Sequence, residues 1–391
     1  MSSAVIVEAI RTPVGKRGGG LADVHAADLA ADLLNALIDR VGIDPALIND
    51  VIFGCVGQVG EQSTNVARSS VLAAGWPQTV AGVTLDRQCG SSQQAVHFAV
   101  GGLASGEYDV VVAGGVESMT RVPMGTNFLN DPNRYPVRLV ERLGGDKPNQ
   151  GLSAEMIAQH WDISRSELDE FSLRSHERAA AAHDRGSFDR QLVPVVSPSN
   201  GIVAADEGVR RDTSLEKLSA LKPAFVEDGR VTAGNSSQIS DGAAVLLLMS
   251  EQRAAELGLA PVARVHTTVV IGDDPKMMLT APIAATRKIV AKSGVALDDI
   301  GHIEISEAFA SVPCAWLKEF GVDPAKVNPL GGRERCPHHD DPGAQHARER
   351  HPLRPPDDVR GWRTRQRDAS RARAMTSVGR RDRQQPRGVR R

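Results

Sequence analysis

Apolar and polar positions change period along the chain, and the change predicts alternating strands and helices. Val5–Ile10 is a compact apolar run broken only by Glu8, which predicts a strand. Ala26–Val41 then places Leu29, Leu33, Leu34 and Leu37 on one face at helical spacing. Val51–Val56 predicts a second strand, Asn65–Ala74 a helix and Gly82–Leu85 a short strand. Gly90–Ser105 predicts a helix of small residues, and Val110–Ala113 a buried strand ended by Gly114 and Gly115. Strand–helix alternation at this spacing implies a mixed or parallel sheet with helices on both faces.

That rhythm lapses from about 121 to 245. Turn residues crowd the segment, as in Asn130-Asp131-Pro132-Asn133, and the pattern predicts one long polar helix near Ser166–Arg185. The Asp162–Arg185 charge run reads as a solvated helix face. The alternation then resumes with strands at Val245–Met249, Ala263–Ile271 and Ile300–Ile305. Helices are expected at Glu251–Leu257, Ala284–Ser293 and Phe309–Phe320. The implied organisation is an α/β chain with two related halves, 1–120 and 246–332, around an inserted region, 121–245. Residues 333–391 follow with neither helical nor strand periodicity.

Charge sharpens that last boundary. The whole chain carries a formal charge of −2, but residues 333–391 hold 17 Arg, no Lys and eight acidic side chains. Residues 1–332 hold 29 basic and 40 acidic side chains. Two such compositions call for separate explanations. Aromatic residues make up 4% of the chain, so the core must rest on Val, Leu, Ile and Ala. No apolar run approaches the ~18 residues of a membrane span. Four cysteines without a paired framework, and a first strand that begins at once, lead to the expectation of a reducing, cytoplasmic setting.

The candidate chemistry centres on Asp86-Arg87-Gln88-Cys89-Gly90-Ser91-Ser92, between a predicted strand and a predicted helix. A thiol there lies near the positive end of the helix dipole, which favours the reactive thiolate. The small residues after it leave room for a bulky substrate. By position alone, an inert buried cysteine explains Cys89 as well as a nucleophile does. Cys55, after a strand, and Cys314, inside a helix, read as packing cysteines.

The neighbouring motifs favour the nucleophile. The chain resembles the thiolase family, the acetyl-CoA acetyltransferases and 3-ketoacyl-CoA thiolases. Glu8-Ala9-Ile10-Arg11-Thr12-Pro13-Val14-Gly15-Lys16 is similar to the family's opening strand and turn. Asp86–Ser92 resembles its nucleophile segment, and Gly114–Arg121 the strand and turn after it. Val231–Ser237 with Asp241-Gly242-Ala243-Ala244 resembles the coenzyme A loop. Ser306-Glu307-Ala308-Phe309-Ala310 stands where the family usually has Asn-Glu-Ala-Phe, and Val327–Gly332 matches the approach to its catalytic histidine.

The resemblance implies acyl transfer from a 3-ketoacyl-CoA to CoA through a Cys89 thioester, with Claisen condensation as the reverse, in lipid breakdown. It implies coenzyme A and acyl-CoA as substrates, no separate cofactor or metal, and a homodimer or homotetramer. Ser306 would position a water at an oxyanion. Ser237 would touch the pantetheine arm, although a turn-forming serine explains it too. Ala233, Leu152 and Phe225 would line the same groove. Glu307 would orient the active-site loop, unless it is a solvated carboxylate at a helix start.

Two expected motifs are missing. The family's Gly-His-Pro and Cys-x-Gly-Gly-Gly motifs supply the base for the nucleophile and a second acid/base, and neither follows Gly332. Codons permitted for Arg350–Thr364, read one nucleotide later, give Gly-Ile-Arg-Tyr-Gly-Leu-Gln-Thr-Met-Cys-Glu-Gly-Gly-Gly. The tail therefore reads as an out-of-frame, disordered segment, with a small deletion near 333–337 removing the histidine motif. On that reading the chain as written is impaired; the alternative from another class is a non-catalytic CoA-binding homologue. Three other readings of the tail are weaker. Cys336, His338, His339, Asp340, His346 and His351 lack a paired metal-ligand spacing. Arginine without lysine is unlike a nucleic-acid-binding arm. His338 lacks the flanking glycines that would aim an imidazole at Cys89.

Overall fold

The computed structural model describes residues 4–332 apart from 129, 130 and 132. The expectations for 333–391, including the metal, nucleic-acid and His338 readings, lie outside the described residues.

One mixed sheet organises the first half of the chain. Its strands are β1 (Ala4–Arg11), β2 (Gly15–Lys16), β3 (Asp50–Gly54), β4 (Ala81–Leu85), β5 (Val110–Ser118), β8 (Ser240–Ser250) and β9 (Ala263–Arg264). The order is β4-β3-β5-β8-β1-β9, with β2 on the end of β8. β3 pairs in parallel with both β4 and β5, while β8 runs antiparallel to β5 and β1. A small hairpin, β6 (Val195–Ser197) with β7 (Gly201–Val203), lies apart from the sheet.

Side-chain alternation explains how both faces are covered. Val51, Phe53, Val110 and Val112 face the core beneath α1 (Ala26–Val41) and α2 (Val66–Ala73). Ile52, Val111 and Ala113 face the opposite side, where Ala95, Ala99 and Leu103 of α3 (Ser91–Ser105) pack. All nine residues of β5 are buried. In α1 the expected leucine stripe is buried in full, and Gly42 closes the helix in the left-handed conformation at φ 75°.

The segment between β5 and β8 holds more structure than its sequence pattern suggests. It contains α4 (Val137–Arg142), α5 (Gln150–His160), α6 (Arg165–Asp184) and α7 (Leu215–Ser219). Ser164 and Glu167 form a reciprocal capping box that starts α6 one residue before the expected position. The charge run is not merely a solvated face: α6 buries Leu168, Phe171, Ala179 and Ala182, and with them Asp169, Ser175 and His176. Asp169 keeps partners there, from Arg165 and Asn235.

Beyond β8 come α8 (Glu251–Glu256), α9 (Ala281–Ser293) and α10 (Ser311–Phe320). α10 packs its Ala315 with Ile157, Leu168 and Phe171 of α5 and α6. Position 245/246, the expected end of the insertion, falls inside β8, which is hydrogen-bonded between β5 and β1.

Three strand expectations are corrected. β5 does not stop at Gly114-Gly115 but runs to Ser118. Those glycines permit close approach rather than a turn: a Cβ on Gly114 would lie 2.0 Å from the Ala244 carbonyl oxygen. The Ala263–Ile271 run forms a ladder only over Ala263–Arg264, and Ile300–Ile305 makes a single bridge, Ile303 to Val327. Both runs have strand composition, but among the described residues no neighbouring strand extends along the remainder of either.

Candidate active site

Local chain geometry sets Cys89 at the carboxyl end of the parallel strands, where open α/β sheets present their ligand crevices. β4 ends at Leu85, and Asp86 accepts the Gln88 amide at 2.6 Å, turning the chain. Gln88 adopts φ 48°, a left-handed conformation that non-glycine residues seldom take. Ser91 fastens the turn: its Oγ accepts from the Arg87 amide at 2.8 Å and donates to the Gln88 carbonyl at 2.5 Å. α3 begins there, two residues after Cys89.

Two glycines let the start of α3 seat deeply on the sheet. A Cβ on Gly54 would come within 2.3 Å of the Ser92 backbone nitrogen, and one on Gly115 within 2.2 Å of Ser92 Oγ. Cys89 is half-buried and lines a cavity of about 200 Å³. Arg11, Thr12, Cys55, Ser92, Glu117 and Ala243 are among its walls.

Sequence reasoning gave no role here to Cys55 or Glu117. Cys55 is buried, as expected of a packing cysteine, but it also lines this cavity. Its Sγ lies 3.9 Å from Glu117 Oε1, and burial, with Glu117 beside it, pushes its thiol well above the ordinary range. Glu117 accepts from the amides of Val56 at 2.7 Å and Gly57 at 3.2 Å, and from Gln62 Nε2 at 2.7 Å. It ties the ends of β3 and β5 together, and burial raises its own carboxyl. The signal was present in Gly114–Arg121, but the contact depends on parallel pairing of Gly54 with Gly115.

Arg11 braces the opposite wall. Its guanidinium makes two hydrogen bonds to Asp206, at 2.6 and 2.8 Å, and His183 Nε2 lies 3.0 Å from the same carboxylate. Burial works against the charge of Asp206, but the hydrogen bonds and charge of Arg11 outweigh it and hold the carboxyl below the ordinary range.

The remaining predicted residues gather elsewhere. Ser237 is buried and donates its amide to the Ala308 carbonyl at 2.8 Å; the Ala310 amide donates to Asn235. The 231–237 loop is thus stitched to the 306–310 loop. Phe225 meets Phe309 edge to face at 5.9 Å, in the cluster with Ala154 and Val231. Leu152 is half-buried in the first turn of α5, and Ala233 is exposed. Ser306 is exposed. Ser306, Ser237, Ala233, Leu152 and Phe225 are not among the residues lining the Cys89 cavity.

Glu307 is 1% exposed, which rules out a solvated carboxylate. It accepts from Ser175 Oγ at 2.7 Å and from Asn328 Nδ2 at 2.6 Å, fixing the loop that leads to Gly332. Cys314 packs beside the α5–α6 cluster, and burial pushes its thiol up to about 12. Among the described residues no group of three or more His, Cys, Asp or Glu side chains could hold a metal ion, and no helix is long and apolar enough to cross a membrane.

Comparison with known proteins gives the same answer along nearly all the described chain. The family model "Thiolase, N-terminal domain" matches residues 4–252, and "Thiolase, C-terminal domain" matches residues 259–338. A steroid 3-ketoacyl-CoA thiolase of Mycobacterium tuberculosis is 48% identical over 339 residues, covering 85% of this chain and 83% of the relative. A 3-ketoacyl-CoA thiolase of Photobacterium profundum is 44% identical over 85% of this chain and 87% of its own. A 3-oxoadipyl-CoA/3-oxo-5,6-dehydrosuberyl-CoA thiolase of Escherichia coli is 40% identical over 85% and 88%. The crystal structure of the Bacillus anthracis acetyl-CoA acetyltransferase superposes with a TM-score of 0.79 at 39% identity, covering 86% of this chain and 88% of that one. With two family models spanning most of its length, an α/β fold shared with a solved acetyltransferase, and a cysteine presented at the start of α3, the chain belongs to the thiolase family of acyltransferases.

Proposed function

We propose that Cys89 takes the acyl group of a 3-ketoacyl-CoA as a thioester and passes it to a second CoA. The observation that carries this reading is the half-buried thiol in the turn just before α3, opening on a cavity of about 200 Å³. The Cys89 sulfur bonds to the ketone carbon, the carbon–carbon bond breaks, and acetyl-CoA leaves after taking a proton at its α-carbon. CoA thiol then attacks the thioester and frees Cys89. The names of the relatives support 3-ketoacyl-CoA as the substrate class and lipid or aromatic breakdown as the setting. Ser237, Ala233, Leu152 and Phe225 are assigned to the pantetheine groove and Ser306 to a water near the oxyanion. CoA enters as substrate, without a further cofactor, in the cytoplasm.

For the chain as written we propose acylation without efficient turnover. Sequence positions 333–391 contain neither Gly-His-Pro nor Cys-x-Gly-Gly-Gly, so the second acid/base that carbon–carbon cleavage requires has no assigned source. The relatives' match covers 85% of this chain and the C-terminal family model matches to residue 338, which supports reading the tail beyond as unlike the family. That absence also favours the second reading, a CoA-binding homologue that does not catalyse.

The assembly proposed is a homodimer or homotetramer. β4 forms one edge of the sheet, and Val83 on it, Leu72 on α2 and Phe98 on α3 are all exposed. An open edge flanked by apolar side chains is suited to pairing with a second copy.

Peptide mass mapping after incubation with acetyl-CoA tests the assignment. The expected result is one acetyl group, on the Cys89 peptide, absent in Cys89→Ala. Acetylation elsewhere, or none, would overturn it.

A further inference from the structure

The cavity at Cys89 owes its space to small residues on internal strands. β3, β5 and β8 reach it with Gly54, Gly115, Gly242, Ala243 and Ala244. Ala244 stands opposite Gly115 in the β5–β8 register. It alternates onto the same face of β8 as Leu246 and Leu248, the face that α3 covers. Although β8 is flanked by β5 and β1, Ala244 is exposed, and it lines the cavity. Another part of the wall is apolar and buried, from Cys55 and Val116.

Two charged residues border this space, and both are already engaged. Arg11 is paired with Asp206 at 2.6 and 2.8 Å, and Glu117 accepts from Val56, Gly57 and Gln62. Among the described residues no other cation lines the cavity. A carboxylate carried in by a ligand would lose its water without gaining a countercharge of its own. Size sets a second limit. An apolar protein cavity of ~150 Å³ accepts benzene, with six carbons, so about 200 Å³ accommodates roughly six to eight. Each methylene buried there favours binding roughly three- to four-fold until the space is filled.

We propose that this cavity receives the acyl chain of the Cys89 thioester and selects uncharged straight chains of roughly six to eight carbons. Ala244 sets the limit of length, and ω-carboxylated chains are excluded. The proposal rests on the acyl-transfer reading. The residues assigned there to the pantetheine arm, Ser237, Ala233, Leu152 and Phe225, are not on these walls, which leaves this space to the acyl side of the thioester. Acylation alone reports on it. The Cys89 thiolate attacks the thioester carbonyl of an acyl-CoA, the bond to the CoA sulfur breaks, and CoA leaves and takes up a proton as its thiol. No carbon–carbon bond is cleaved, so the chain as written serves for the measurement.

The test is the rate of Cys89 acylation on the full chain, read by intact mass and peptide mapping. The probes are the saturated acyl-CoA series from acetyl to palmitoyl, with adipoyl-CoA set beside hexanoyl-CoA. The expected rate rises at least about ten-fold from acetyl to hexanoyl or octanoyl and falls again by palmitoyl. Adipoyl should react at least about ten-fold more slowly than hexanoyl, since the two differ only in the terminal carboxylate. In Ala244→Leu the ratio of octanoyl to acetyl rates should drop at least about ten-fold. A flat profile, a rise that continues to palmitoyl, or adipoyl as fast as hexanoyl would overturn the proposal. So would an unchanged ratio in folded Ala244→Leu; the series on the parent chain decides if that variant does not fold. Labelling of Cys89 by acetyl-CoA without this selection would overturn the cavity assignment alone. No labelling by any acyl-CoA would overturn the acyl-transfer reading together with it.

Discussion

Gly54 and Gly115 control how closely Ser92, and therefore Cys89, approaches the sheet. Gly54→Ala would force the start of α3 outward, since its Cβ would fall 2.3 Å from backbone rather than from a movable side-chain tip. The expected outcome is a loss of about 1–3 kcal/mol in urea unfolding, as for overpacked cores, and slower alkylation of Cys89 than in the parent chain. Cys55 and Cys314 should resist the same reagent near pH 8, because burial holds both thiols protonated. The sign for stability follows: their raised values favour the fold below the unfolded thiol value of ~8.5, and that contribution is lost as pH rises beyond it. Asp206 behaves oppositely. Its carboxyl is depressed, so its contribution is present above ~3.9 and is lost as pH falls through the folded value. Arg11→Ala would leave this carboxylate buried, 2% exposed, with the Val14 amide and His183 but without the guanidinium that balances its charge; a loss of about 3–5 kcal/mol is expected. Stability unchanged from the parent in that variant would show that Asp206 finds other partners.

At the level of elements, the helices were legible wherever one periodic face decided them. α1 matched its expected bounds, and Leu33→Ala within its buried stripe should cost about 2–5 kcal/mol in the same unfolding measurement. α3 and α6 were legible because cap, period and length agree within a short stretch of chain. α5 was missed because its burial is carried mainly by Gly151, Ser153 and Ala154, with Ile157 as its one large buried side chain. Strands were less secure for a different reason: a strand is stabilised by a neighbour that local sequence does not reveal. Among the described residues, Ala263–Ile271 forms a ladder only at its first two residues and Ile300–Ile305 only a single bridge, whereas β5 continues through two glycines because β3 and β8 flank it. The site divides in the same way. The place of Cys89 could be read from a local strand-to-helix junction and its proposed role only from the motifs around it, but Cys55 and Glu117 join it only through the β3–β5 register. The 231–237 and 306–310 loops likewise meet through tertiary hydrogen bonds that no short motif displays.

On the scale of the whole molecule, the first half buries both faces of its sheet, while among the described residues after β8 burial centres on α10, with Ile305, Trp316 and Val327. The sheet from β4 to β1 has both faces covered, and Glu307 and Asn328 hold the final loop in place. Apolar side chains at Val262, Val270, Ile271 and Val295 remain exposed beyond it. Surfaces of this kind promote association, so the chain as written should elute with more high-mass material in size exclusion than a frame-restored chain. The same division bears on the proposed chemistry: Cys89 lies against the covered sheet, and on the reading proposed above the groups that would complete its cycle belong to a segment that positions 333–391 do not supply. The most direct measurement is a rapid-mixing assay of acetyl-CoA release from a 3-ketoacyl-CoA with excess CoA, coupled to the mass of the intact protein. The account predicts no sustained release, with any slow release limited to one equivalent per chain and matched by an acyl group on Cys89, and continuous release once the frame is restored. Sustained release by the chain as written, or acyl transfer that survives Cys89→Ala, would contradict it.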